Sequence, residues 1–588
     1  MSPSTTTVPQ NLRLIGGEML VWTDDEPAAD RRPAAGPALQ EVLRDLVRPG
    51  GRALVAGPHE QALISLLADA PMAVTCLVRA YPDAEALARR LPGVTVLCGS
   101  VAKLDPSDTY DLVVACDGLE RLPSVEGAAL SWAETADLMA GAVRPGGTLL
   151  LAQENLLGVH RLVRMSPWYG ERTDADWTPL GDYDATRPAS PGELVSSLAG
   201  RGLTVAEPMA GFPTAHEPSV LAPLDRLADP HLAGFVRIAV SAAYGAQLAG
   251  RPVLSDPRAL AGSALRAGSA AEFAPVWLVA ATRAGALIPR QRVVVADAGT
   301  VPHPVRYEVV RAEHGWSRQV LGDPTLRSRD GVYRDPAALA GPLPRGRLFE
   351  EQLIELCLRR DLPELSRVLT RYAAWLAEGA DEDGTVGGVA LWAAPGDLLL
   401  DGEGCTPWDP TWSTTVRAPL DVALARSLRT FAVRLITGGY SHPWPVLVDA
   451  DSLVVILAGM AGHTLERPVL AAAVDLEARL RAAEHGLDEA GRERLRERLA
   501  AVTPGTPPLD LDSHRELHAA NDRLREELAH AVSRVAWAEE LLESREKALR
   551  HAEDKLDILS GSFSFRLGKL LIYPLRKAKG LAKRLLRR

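Results

Sequence analysis

Four polar residues stand just beyond the ends of short apolar runs, where a side chain can meet a ligand, and their types suit proton handling or hydroxyl positioning. His59 lies in the turn Gly57-Pro58-His59-Glu60-Gln61, after the run Arg52–Ala56. An imidazole there can act as a base or meet a carboxylate, or it can sit solvated and do neither. Asp117 follows Asp111–Ala115. It can position a hydroxyl group, or it can cap a helix. Glu154 and Asn155 follow Thr148–Ala152. A carboxylate at that place can accept a proton from an attacking hydroxyl. The pair can equally close a turn.

The elements that must hold these residues alternate. Arg52–Ala56, Ala73–Val78, Val94–Cys98, Asp111–Ala115 and Thr148–Ala152 read as strands. Gln61–Ala70, Asp83–Leu91 and Leu130–Ala142 are apolar at helical spacing, and Leu39–Leu46 reads as a helical turn or two. Strands that are continuously apolar and separated by helices predict a parallel sheet covered on both faces. Such a sheet receives ligands beyond the carboxyl ends of its strands.

The chain has 588 residues, room for about three or four domains. At 47% hydrophobic and 24% charged it is no disordered chain. The longest nearly apolar stretch, 452–462, is too short to span a bilayer, and residues 1–27 hold no secretory signal pattern. The five cysteines form no C-x-x-C pair, which argues against a zinc or redox motif and fits a reducing, cytoplasmic setting. After Asp557 no acid occurs, while nine Lys and Arg residues do; without them the chain carries 56 basic against 75 acidic residues. An acidic body with a basic end excludes nucleic acid as a general partner of the body and points to an anionic partner for the tail.

Residues 50–205 resemble a class I S-adenosylmethionine-dependent methyltransferase. The likeness rests on the strand ending at Gly57, on Tyr110-Asp-Leu-Val-Val-Ala-Cys-Asp-Gly-Leu-Glu-Arg-Leu122, and on Arg144-Pro-Gly-Gly-Thr-Leu-Leu-Leu151. Glu154-Asn155-Leu-Leu-Gly158 and Thr186-Arg-Pro-Ala-Ser190 are similar to methyltransferase domains of surface-polysaccharide gene clusters. The resemblance implies S-adenosylmethionine as cofactor, held by Ala56, Gly57, His59, Asp83 and Ser100, with Asp117, Glu154 and Asn155 facing the acceptor. The first loop departs from the family's Gly-x-Gly-x-Gly, keeping one glycine and placing Pro58 where an amide donor would be. The family's ribose-binding acid falls near Val78-Arg79, with Asp83 the nearest acid, and its adenine-side acid is replaced around Gly99-Ser100.

Further on the rhythm changes. Val276–Ala280, Arg292–Ala296 and Tyr307–Val310 read as antiparallel strands, and Phe349–Ala380 and Leu420–Ile436 as helices, a second α+β unit. Pro395-Gly-Asp397 with Trp408-Asp409 faintly resembles the metal-binding end of kinase-like phosphotransferases, implying a degenerate kinase-like fold; a turn before a Trp-rich strand explains the same residues. From Leu517 to Leu559, thirteen positions spaced alternately by four and three are apolar except Asn521 and Arg545. This is a coiled-coil seam roughly 63 Å long, which predicts a homo-oligomer, or else an antiparallel hairpin or a helix packed on its own domain. Phe563–Arg588 interleaves leucines and aromatics with cations, as amphipathic helices on anionic membrane surfaces do; a nucleic-acid tail or a partner-binding helix is the alternative, and the density of leucines and aromatics favours membrane or partner.

The expected organisation is a flexible leader (1–37), a Rossmann-like methyltransferase domain (38–219), an α+β domain (220–502), a linker (503–512), a coiled coil (513–559) and a basic amphipathic tail (560–588). The resemblance implies methylation of an oxygen of a glycan or glycosylated intermediate at the inner membrane face. The alternative is a scaffold of methyltransferase fold, without activity, that organises glycan-assembly enzymes.

Overall fold

The computed structural model describes residues 8–25, 32–165, 184–248, 251–285, 290–297, 303–313, 315–402, 404–504, 506, 512–564, 566–568 and 570–572. Two compact units divide it, one ending at Ala520 and one beginning at Asn521.

In the first unit five strands form a parallel core: β2 (Arg52–Ala56), β3 (Ala73–Val78), β4 (Thr95–Gly99), β5 (Tyr110–Ala115) and β6 (Val143–Glu154). They lie in the order β4-β3-β2-β5-β6. Their apolar runs are continuous because helices such as α1 (Pro37–Leu46), α2 (Gln61–Asp69), α3 (Tyr81–Arg90) and α4 (Trp132–Ala142) connect and flank them. Helix α4 begins with a capping box in which Ser131 and Glu134 each bond the other's backbone N–H. Connections run to opposite sides of β2, and this reversal opens a crevice between the carboxyl ends of β2 and β5.

The leader expectation is corrected. Leu12–Gly16 is β1, an added parallel strand on β4 with Leu12 opposite Val96. The Asn11 amide anchors its start on the carbonyls of Ala88, Leu91 and Val94, at 3.1, 3.1 and 2.8 Å. Met19 bridges to Ala80 and Ala34 to His59, which places both at the sheet's carboxyl end; residues 1–7 and 26–31 of the expected leader lie outside the described residues.

The boundary at 219 is corrected as well. β11 (Val276–Arg283) lies antiparallel between β6 and β8 (Met209–Phe212), and also pairs β7 (Leu203–Val205). The sheet then continues through β9 (Val220–Pro223), β12 (Val293–Ala296), β13 (Arg306–Ala312) and β14 (Gly315–Val320) to Gly341–Pro342. The predicted strands near 276, 292 and 307 therefore exist and are antiparallel, but they extend the first sheet and build no second one. One buried cluster runs from Leu54 to Leu343 and a separate one from Val332 to Ala483, so the change of module falls close to residue 345.

The second module is mainly helical, over Phe349–Arg359, Leu362–Glu378, Leu420–Thr437, Ala450–Met460, Arg467–His485 and Glu489–Ala500. The helix expected over 349–380 is two helices. Arg360 is left-handed (φ 57°), and Asp361 caps the next helix by accepting from the Glu364 N–H. Much of the expected linker, 507–511, lies outside the described residues, while Asp512–Ser513 pairs with β10 (Pro252–Val253). In the second unit residues 521–561 belong to one helix, running His514–Gly561. Most of the basic tail, 573–588, lies outside the described residues. Among the described residues no helix is long and apolar enough to cross a membrane.

Candidate functional site

β2 delivers Ala56 and Gly57 to the crevice. Gly57 turns with φ +90°, a conformation that favours glycine, and its N–H bonds the Leu77 carbonyl at 2.8 Å. His59 then folds back into the crevice. The Cys116 N–H donates to its Nε2 at 3.0 Å, so Nδ1 carries the proton and donates to the Gly57 carbonyl, also at 3.0 Å. The ring thus spans from the end of β2 to the end of β5. Burial holds its pKa down from 6.5 to about 4, against the opposing effect of the Gly57 carbonyl.

Across the outer side of that turn lies the N-terminal segment. The Ala34 N–H bonds the Pro58 carbonyl at 3.1 Å, and the Glu60 N–H bonds the Ala34 carbonyl at 2.9 Å. Beyond β3 stands Arg79, 1% exposed. Its Nε and Nη2 clasp the Asp24 carboxylate at 2.8 and 2.7 Å, and its Nη1 bonds the Pro123 carbonyl at 3.0 Å. Burial would raise the Asp24 carboxyl, but the Arg79 bonds and charge, with help from Arg121, bring it below its ordinary value. Asp83 is engaged too: it accepts from Thr23 Oγ1 at 2.6 Å and the Asp24 N–H at 2.7 Å.

Asp117 sits behind Gly57, where a Cβ on that glycine would lie 3.7 Å from the Asp117 Cβ. Arg121 grips its carboxylate with two donors, one at 2.6 Å. The same guanidinium donates to the carbonyls of Asp24 and Arg32, each at 2.8 Å. Burial pushes the Asp117 carboxyl up, to about 7, with Arg121 pulling the other way. Ser100, beyond β4, is fully buried. Its N–H bonds the Gly16 carbonyl at 3.0 Å, and Gly17 packs so closely that a Cβ there would meet the Ser100 Cβ at 3.0 Å.

On the acceptor side the candidates are likewise engaged. Glu154 is half-buried; burial alone would raise it, but His160 Nε2 at 2.9 Å, with Arg161 and Arg187, holds its carboxyl at about 2. Asn155 is a structural clasp. Its amide donates to the Glu272 and Ala274 carbonyls at 2.6 and 2.9 Å, and its Oδ1 closes an Asx turn with the Leu157 N–H at 2.9 Å. Between them, Gln153 is fully buried: it accepts from Trp132 Nε1 at 2.6 Å and donates to Glu120 at 3.0 Å, and Glu120 pairs with Arg187 at 3.1 Å.

The fold brings Gly57, His59 and Asp117 together at the switch point, with Asp83 and Ser100 beyond the neighbouring strands. Sequence reasoning missed Asp24, Arg79 and Arg121, which bind that region into one network. The one signal was Arg79 itself, a cation where the family places an acid; it demanded an anionic partner, and Asp24-Asp25-Glu26 was the unassigned acidic run.

In the second module, Asp397 accepts from the Ala394 N–H at 3.0 Å, and Asp409 accepts from the Thr411 N–H and hydroxyl at 3.0 and 2.6 Å while facing Arg334 at 3.4 Å. Trp392 and Trp412 stack at 5.1 Å. Turn-forming acids before a tryptophan stack are the plainer of the two readings of this motif. Among the described residues no group of three or more His, Cys, Asp or Glu is placed to hold a metal ion.

No protein-family model matches the chain, and no curated protein matches it. Several solved structures do. A methyltransferase from Thiobacillus denitrificans in complex with S-adenosyl-L-homocysteine is 18% identical, over 44% of this chain and 95% of its own, with a TM-score of 0.23. One from Geobacter sulfurreducens, with the same ligand, is 18% identical over 44% and 100%, also at 0.23. The CcbJ methyltransferase from Streptomyces caelestis is 15% identical over 46% and 98%, at 0.26. Identities this low speak to fold alone, and TM-scores this low add nothing to the strand order. That order, read from the chain's own pairing, defines a Rossmann-like α/β fold.

Proposed function

We propose that this is a methyltransferase-fold protein whose cofactor crevice is closed by its own chain, and that it works as a scaffold without methyl transfer. The observation that carries the reading is the continuous network His59–Cys116, Asp24–Arg79 and Asp24–Arg121–Asp117 across the carboxyl ends of β2, β3 and β5. The residues present do not fit S-adenosylmethionine. The family's ribose hydroxyls donate to an acid beyond the second core strand; here the corresponding place holds buried Arg79, a donor already paired with Asp24. Withdrawing Asp24 to admit a ligand would leave that arginine buried and unpaired. The proposed partners are enzymes of glycan assembly, by the resemblance of Glu154–Gly158 and Thr186–Ser190 to methyltransferase domains of surface-polysaccharide gene clusters, and an anionic membrane surface, by the charge of the tail.

Isothermal titration of the full chain with S-adenosylmethionine and with its demethylated product tests this. No heat of binding at millimolar ligand is expected. Micromolar binding contradicts it and restores the second reading, methyl transfer to a glycan oxygen.

A further inference from the structure

The helix of the second unit has an exposed apolar seam, and its residues specify what covers it. Leu528, Val535, Leu542, Leu549, Leu556 and Leu559 are 57–64% exposed. In heptad terms the a positions are Asn521, Leu528, Val535, Leu542, Leu549 and Leu556; the d positions are Leu524, Ala531, Ala538, Arg545, Ala552 and Leu559. From Leu528 on, large apolar residues thus fill every a position, while alanine fills three of the six d positions.

A parallel pair sets each layer against itself. It gains Asn521 against Asn521, but it sets three Ala–Ala layers between Leu–Leu and Val–Val layers, leaving them underfilled. It also faces Arg545 with Arg545 in the seam, where like charges repel. Flanking it, Arg534 meets Glu539 as the one kind of opposite-charge pair, occurring twice by symmetry.

An antiparallel pair sets a against d. With Leu524 opposite Leu556 of the second copy, Leu528 meets Ala552, Leu549 meets Ala531 and Leu542 meets Ala538, so a large residue meets a small one in these three kinds of layer, while Asn521 meets Leu559 at the ends. Arg545 then faces Val535, over which its aliphatic stem can lie while the guanidinium reaches solvent. The flanks match in charge: Arg525 beside Glu553 and Glu527 beside Lys555, each occurring twice by symmetry, against one Glu539–Glu539 contact at the dyad. Leu541 meets its own symmetry mate there.

We infer that residues 521–559 form an antiparallel two-stranded coiled coil with a second copy of this chain, in the register that opposes Leu524 to Leu556. The inference is independent of whether the crevice binds a cofactor.

Sedimentation of the full chain followed by cysteine cross-linking tests it. The chain should sediment as a dimer. Copies bearing Asn521→Cys, mixed with copies bearing Leu559→Cys and oxidised, should give disulfides between unlike copies. Neither variant alone should link beyond the wild-type background, because like positions lie roughly 57 Å apart at 1.5 Å per residue. Self-linking of Asn521→Cys establishes the parallel pair and overturns the inference. So does sedimentation as a monomer, which would leave the seam to a membrane or another protein, or as a trimer or larger assembly.

Discussion

Three side chains at the crevice decide what the protein can bind. Arg79 and Asp24 form a buried ion pair, with exposures of 1% and 6% for their side chains. Removing one partner of such a pair leaves an uncompensated charge, so Asp24→Ala should cost about 3–5 kcal/mol in denaturant unfolding. His59 gives a pH signature. The folded chain holds it neutral down to about 4, whereas the unfolded chain protonates near 6.5. The unfolded state therefore binds the extra proton in that window, and stability is fully present above pH 6.5 and lost as pH falls toward 4, by about 3 kcal/mol. His59→Gln should flatten that part of the stability–pH curve. At this scale the sequence placed His59, Asp83, Ser100 and Asp117 correctly beyond their strands, since a strand's end is visible in its apolar run. It could not show that Asp24 and Arg79 meet, because they are 55 residues apart in sequence and only the crossing segment joins them.

Among the elements, the parallel strands were legible because each is continuously apolar, and α4 because its apolar residues recur at helical spacing; the structure adds the Ser131–Glu134 capping box at its start. Ser131→Ala should cost about 1 kcal/mol. β1 was not legible. It is a five-residue edge strand, Leu-Arg-Leu-Ile-Gly, with mixed polarity, following a polar start and preceding a Pro-rich stretch. Its docking depends on Gly99, with φ +145°, where a Cβ would lie 2.5 Å from the Gly16 carbonyl oxygen and 2.7 Å from Ile15 Cγ1. Gly99→Ala should therefore destabilise by about 2–3 kcal/mol and raise hydrogen exchange over residues 12–16, measured on the same variant. β11 was recognised as an antiparallel strand but assigned to a separate sheet, because its partner β6 precedes it by more than a hundred residues and pattern alone gives no pairing.

For the molecule as a whole, the sheet from β1 to Gly341–Pro342 joins the described residues up to Val320, with Gly341–Pro342, into one structural module, while Val332–Arg334 pairs with Trp412–Thr414 of the second. The acidic body and basic end carry a separate prediction. Deleting residues 561–588 should abolish binding to anionic vesicles in co-sedimentation and leave the body's unfolding transition unchanged; undiminished binding would contradict the membrane proposal. The central claim is that the chain itself occupies the crevice at the switch point. Hydrogen–deuterium exchange, with and without millimolar S-adenosyl-L-homocysteine, tests that most directly. The account predicts protection of residues 19–25, 55–60 and 115–122 in the free protein and no change on adding the ligand. Loss of protection at 19–25 together with a gain at 55–60 would contradict it, by showing the ligand displacing the segment that holds Asp24.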